Sequence, residues 1–277
     1  MKKLLRVLPV LLLSSSVAFA DVVVTLQSGD GQGEMLISGQ KLAMKTAGRG
    51  EQVVIRGDQG YMMTVDPGKK AVTKITKENM KQLGNQVNAA MKNFEAQLAN
   101  VPPQQAEAMK KLMGGMMAKM SQPQQSPPVV SKTGQKRTVA EYTCEEYEVS
   151  RDGEVTRRYC VVPSSEISGG SEVRAGLQVM GDFFRELLTA TQQGPFAKVI
   201  ENPYLEFSKI GDGVPVLTEE VKGGQVVRST TITSIKNDKI EVARFEPPTG
   251  YAVQNFGAGI GNPMGGGMPF RVPPQQR

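Results

Sequence analysis

The sequence contains no histidine and no tryptophan, and it has only two cysteines. Without histidine, the commonest general base and the commonest metal ligand are both missing. Aromatic residues make up 5% of the chain. No nucleophile, base and orienting group can be assembled from what remains, so an enzyme is the least expected class and no cofactor is implied. Long apolar runs are also scarce. A bilayer-spanning helix needs about 20 apolar residues. The longest run, Leu8 to Leu13, is interrupted by Pro9 and ends at Ser14, Ser15 and Ser16.

That run belongs to a three-zone N-terminus. Lys2, Lys3 and Arg6 supply positive charge, the apolar run follows, and Ala18-Phe19-Ala20 places small residues where a signal peptidase reads. This pattern predicts an export signal over residues 1–20, cleaved before Asp21, and a periplasmic location. No cysteine follows the cleavage position to carry a lipid anchor. The whole sequence has 33 basic and 27 acidic residues, a net charge of +6. Loss of the three basic residues in 1–20 leaves 30 against 27, or +3. So small and dispersed an excess excludes nucleic acid as an expected partner.

What is present is strand patterning at both ends and helical patterning between. From Val22 to Thr76, short apolar segments alternate with turn signals at Ser28–Gly33, Gly39-Gln40, Ala47–Gly50, Gly57–Gly60 and Asp66–Lys69. Pro67-Gly68 suits a type II turn. A two-residue Gly39-Gln40 loop sets Ile37 opposite Leu42 and Met35 opposite Met44, giving one buried face. Near the C-terminus, a Gly223-Gly224 loop sets Val221 opposite Val226. An Asn237-Asp238 loop would set Ile235 opposite Ile240 and Thr233 opposite Val242.

Met80, Leu83, Val87, Met91, Phe94 and Leu98 recur at helical spacing after Thr76, a candidate cap. A second helix is expected from Pro102-Pro103 to Met120, and a Gln/Pro/Ser linker over 121–128. A third helix follows Gly169-Gly170-Ser171, with Val173, Leu177, Met180, Phe183, Phe184 and Leu187 on its apolar side. Residues 256–277 have the composition of a disordered tail. The predicted organisation is therefore a signal peptide (1–20), one domain (21–255) with a Met-rich helical insert (77–120), and the tail.

Cys144 and Cys160 flank the turn signal Arg151-Asp152-Gly153. A three-residue loop pairs Ser150 with Glu154 and puts the two cysteines directly opposite each other; a two-residue loop puts Cys144 against Val161 instead. In an oxidising compartment facing cysteines bond, so a structural disulfide and the three-residue loop are expected. Glu141, Glu145, Glu146 and Glu148 alternate with Tyr142, Cys144 and Tyr147, as on a solvated strand face. Neither Gly31-Gln32-Gly33 nor Gly265-Gly266-Gly267 has the context of a phosphate loop.

The segments Lys132-Thr133-Gly134, Val139 to Val149 and Val242 to Tyr251, with Gly60 to Asp66, resemble an uncharacterised family of exported bacterial proteins, domain of unknown function 4412. Its layout is similar to the periplasmic lipoprotein-carrier fold, a curved antiparallel sheet closed over by helices. The resemblance implies an apolar half-barrel but carries no ligand residue over to this chain.

The expected fold class is α+β: a curved, mainly antiparallel, half-barrel-like β-sheet with packed amphipathic helices. The expected role is non-enzymatic binding of an apolar ligand, such as a lipid or acyl chain, or of an envelope protein partner. Candidate ligand-binding residues are Leu42 and Met44 on the sheet and Met113, Met116, Met117 and Met120 on the helix. The methionine stripe, with Met109, is open to three readings: core packing, an adaptable apolar face, or a copper(I) site built from soft thioethers. An envelope scaffold is the alternative role for the helical arm and tail.

Overall fold

The computed structural model describes residues 20–45, 50–98, 127–191, 204–207 and 209–257. The expected signal segment up to residue 19, the second helix, the linker up to residue 126 and the tail from residue 258 lie outside the described residues. Twelve strands form one curved, unclosed sheet, ordered β12-β6-β5-β4-β3-β2-β1-β11-β10-β9-β8-β7. The first half is a meander of β1 (Val22–Ser28), β2 (Gly31–Ser38), β3 (Lys41–Lys45), β4 (Gln52–Arg56), β5 (Tyr61–Asp66) and β6 (Ala71–Thr76). The second half contains β7 (Val129–Val139), β8 (Tyr142–Arg151), β9 (Glu154–Pro163), β10 (Gly213–Lys222) and β11 (Gln225–Asn237). The halves join where β1 pairs antiparallel with β11. The short β12 (Ala252–Asn255) adds in parallel to β6, which makes the sheet mixed. Among the described residues, two long helices, α1 (Lys77–Leu98) and α2 (Gly170–Thr191), and the short α3 (Tyr204–Phe207) accompany the sheet in an α+β fold. Among the described residues no helix is long and apolar enough to cross a membrane.

Local chemistry explains the element ends. The Thr76 hydroxyl accepts a hydrogen bond from the Asn79 backbone N–H at 3.1 Å, the N-cap expected at the start of α1. Gly39 has φ of 57°, and the Gly39-Gln40 hairpin sets Met35 against Met44 and Ile37 against Leu42, as predicted. Val221 lies opposite Val226, also as predicted.

Four local expectations are corrected. The turn at Asp66–Lys70 is not type II, because the left-handed residue is Lys70 (φ 47°) rather than Gly68. The Asp66 carboxylate organises it by accepting the Lys69 N–H at 3.0 Å. No hairpin forms at Asn237-Asp238. Ile235 pairs with Val24 of β1, while Ile240 leaves the sheet lane and is buried on the other face. The β8–β9 loop has two residues, with Asp152 and Gly153 both at positive φ and Arg151 opposite Glu154. A register shift after Val149-Ser150 then sets Cys160 against Glu146, two positions from Cys144. Finally, the sheet is buried on both faces rather than one.

The inner face, which carries α1 and α2, holds the main core. Two rows of side chains cross it. Register links Val22, Ile37, Leu42, Ile55, Met62 and Ile75 across six strands, and Val24, Met35, Met44 and Val53 in the row beside it. The outer face has two separate cores. Leu36, Ala43, Val54, Met63 and Val72 pack under Ile240 and Phe245. Val149, Tyr159 and Val161 pack under Phe207 and Ile210. A sheet with apolar residues on both faces must be covered twice, and Phe207 and Ile210 over β8–β9 and the segment 240–251 over the meander do this for the outer side.

Candidate functional site on the inner face

The first inner row is sealed from Val22 to Met62, and Ile75 at its end is half-buried. Val22, Leu42 and Ile55 are fully buried, and Ile37 is 1% exposed beneath α2. Contact with the helix is close because Gly176 lacks a side chain: a Cβ there would lie 2.8 Å from the Ile37 Cδ1. Val173, Met180, Phe183 and Leu187 of α2 join the same core, with Met80 from α1.

The second row is graded. Val24 and Met35 are buried, but Met44 and Val53 are only half-buried, as are Thr64 and Thr73 further along. Leu177 and Phe184 of α2 are half-buried at the margin of the same core. Apolar surface therefore continues from the packed core to the solvent along the second row. Of the predicted ligand residues, Leu42 is a sealed core residue and Met44 stands at this margin. Met113, Met116, Met117 and Met120 lie outside the described residues, so the copper(I) reading falls there too.

The inner face changes character on β7–β10. Cys144 and Cys160 are disulfide-bonded, with Cα atoms 5.3 Å apart. Two positions further along β8, Glu146 is buried at 8% exposure, which overturns the expected solvated face. Alternation along the strand puts Glu146 on the same side as Cys144, so it faces inward beside the disulfide. Arg137 donates to both oxygens of Glu219 at 3.2 Å and to Glu146 at 3.4 Å. Arg158 donates to Glu148 at 2.9 Å. The Glu219 carboxylate raises the Arg137 pKa above its usual value, with burial opposing it. Each of these carboxylates is thereby paired with an arginine.

Two further ionic clusters pin the outer face. Arg56 is bidentate to Asp58 at 2.8 Å and also contacts Glu246. Glu206, 1% exposed in its side chain, accepts from Arg157 at 2.6 Å and from Tyr159 at 2.7 Å. Neither cluster leaves a signal in the sequence, because Glu246 lies far along the chain from Arg56 and Glu206 far from Arg157 and Tyr159.

No protein-family model matches this chain, and no curated protein matches it. A solved structure described as an uncharacterized conserved protein from Thermus thermophilus is similar over 86% of this chain and 91% of its own, at 7% identity and a TM-score of 0.42. The structure of PNGF-II is similar over 85% of this chain and 31% of its own, at 10% identity and a TM-score of 0.34.

Proposed function

We propose that this is an exported, periplasmic, non-enzymatic protein that binds an apolar ligand, a lipid or acyl chain, between the inner sheet face and the helices. The observation that carries this reading is the graded second row: an apolar lane that begins in the core at Val24 and Met35 and opens at Met44 and Val53. Apolar area removed from water contributes about 25 cal/mol per Å², so a narrow lane supports binding of a chain-like ligand. The half-barrel layout of the lipoprotein carriers fits the same arrangement. Export is supported by the N-terminal zone pattern and by the start of β1 at Val22, one residue past the expected cleavage position.

The test is native mass spectrometry of gently purified protein, followed by lipid extraction. Bound apolar species are expected, and Met44→Glu is expected to reduce their occupancy in protein that circular dichroism shows to be folded. Repeated preparations without any such species reject the reading.

A further inference from the structure

Strand β11 is longer than its neighbour. It has 13 residues and β1 has 7. Their ladder ends at Ser28 opposite Thr230, after which the chain turns at Gly29-Asp30 into β2. Gln225 to Ser229 therefore pair with β10 on one side and extend past the end of β1 on the other. Beside this overhang is an open recess of about 400 Å³, lined by Gly29, Asp30, Val226, Val227, Arg228 and Ser229.

Among the described residues no strand pairs with this side of the overhang, and its side chains are unusual for such an edge. Val226 and Val227 are 47% and 60% exposed. The register shift between Glu220 and Val221 makes Val227 the extra residue of a bulge. It places Val226 opposite Val221 and Arg228 opposite Glu220, so apolar surface stands beside the lane. Edges are normally guarded by charge, proline or brevity. Both terminal strands of this sheet follow that rule: β7 carries Lys132, Lys136 and Arg137, and β12 has 4 residues preceded by Pro247-Pro248. The β11 overhang has no proline, and its one charge, Arg228, lies 3.7 Å from Glu220. It is the least protected of the three.

The geometry points to this overhang as a docking edge for an extended segment of a partner polypeptide, which would continue the lane of β1 by strand addition. Backbone hydrogen bonds to β11 would supply the pairing, and Val226 and Val227 the side-chain contact. Charge narrows the partner. Asp30 and the Arg228–Glu220 pair leave no strong excess of either sign at the recess to compensate a strongly charged segment, whereas an uncharged, β-branched segment needs none. This site lies at a strand edge, apart from the inner-face lane, and does not depend on lipid binding.

The test uses the full chain and a fluorescein-labelled acetyl-(Thr-Val)3-amide peptide, read by fluorescence anisotropy and amide hydrogen exchange. Saturable binding is expected below about 1 mM, the weak end of specific affinity. Slowed exchange is expected within Gln225–Ser229. Val227→Lys, an exposed substitution checked by circular dichroism, is expected to weaken binding by about tenfold or more. A peptide N-methylated on every residue, which offers no backbone N–H on either edge, is expected not to bind. The proposal is overturned by absence of binding up to that concentration, by equal binding of the N-methylated peptide, or by an unchanged affinity in Val227→Lys. A concentration-dependent dimer in sedimentation that Val227→Lys abolishes also overturns it, in favour of self-pairing.

Discussion

The Tyr159 hydroxyl donates a 2.7 Å hydrogen bond to the Glu206 carboxylate, joining β9 to α3 across 47 positions of sequence. Arg157 donates to the same oxygen, and Arg151 approaches the other at 3.4 Å. A carboxylate this deeply buried persists because each oxygen has a cationic partner.

Replacing Glu206 should therefore unbalance the cluster. Glu206→Gln leaves the arginines facing a neutral group and is expected to destabilise by about 3–5 kcal/mol. Tyr159→Phe removes the hydrogen bond to Glu206 and the longer one, 3.5 Å, that the hydroxyl accepts from Arg157, and is expected to cost about 1–3 kcal/mol. Urea unfolding measures both, and a loss below about 1 kcal/mol for Glu206→Gln would contradict this account of the cluster.

The same cluster sets an alkaline limit. Burial raises the Tyr159 pKa well above the ordinary phenol value, and the Glu206 charge adds to this. The unfolded chain releases that proton near about pH 10, before the folded protein does. The stability from a neutral, buried Tyr159 is thus fully present below about pH 10 and declines above it. Tyr159→Phe should flatten the stability curve in that alkaline range. Equal alkaline slopes in the two proteins would remove the tyrosine from the explanation.

Acid acts on the other outer-face cluster. The hydrogen bonds from Arg56 hold the Asp58 carboxyl below its usual pKa, with burial opposing. Its contribution is present above the unfolded value, about pH 4, and is lost as pH falls through the folded value. Asp58→Asn should reduce the stability difference between about pH 6 and about pH 3, measured by thermal melts.

Two helical glycines should respond in opposite ways. A Cβ at Gly84 meets nothing within 4 Å, so Gly84→Ala should stabilise α1 by about 0.5–1 kcal/mol through helix propensity. A Cβ at Gly176 would crowd three atoms of Ile37 at 2.8–3.1 Å, so Gly176→Ala should destabilise by about 1–3 kcal/mol. Adding Ile37→Val should recover part of that loss. Similar shifts for the two alanines would show that α2 does not press on β2 as described.

Reduction provides a further check. The Cys144–Cys160 bond spans 16 positions and ties β8 to β9 in the inner core. A loop of this size constrains the unfolded chain by about 3 kcal/mol, and Cys144→Ala with Cys160→Ala should lower stability by about that amount. Unchanged denaturation midpoints with and without reductant would contradict it.

Residue order alone dictated the local elements: the Gly39-Gln40 hairpin with its Met35–Met44 and Ile37–Leu42 pairs, the Thr76 cap, the apolar stripe of α2 and the partnership of two cysteines. Each depends on residues within about two dozen positions of one another, where turn chemistry and apolar period act directly. Long-range packing was needed to establish that Ile235 joins β1 while Ile240 crosses to the outer face, that Glu146 turns inward to Arg137, that Glu206 meets Tyr159, and that β11 outruns β1. Those outcomes depend on which distant surfaces cover each side of the sheet. Alternation assigns a residue to one of two faces, but whether that face meets solvent or another segment is set by the packing of the whole chain.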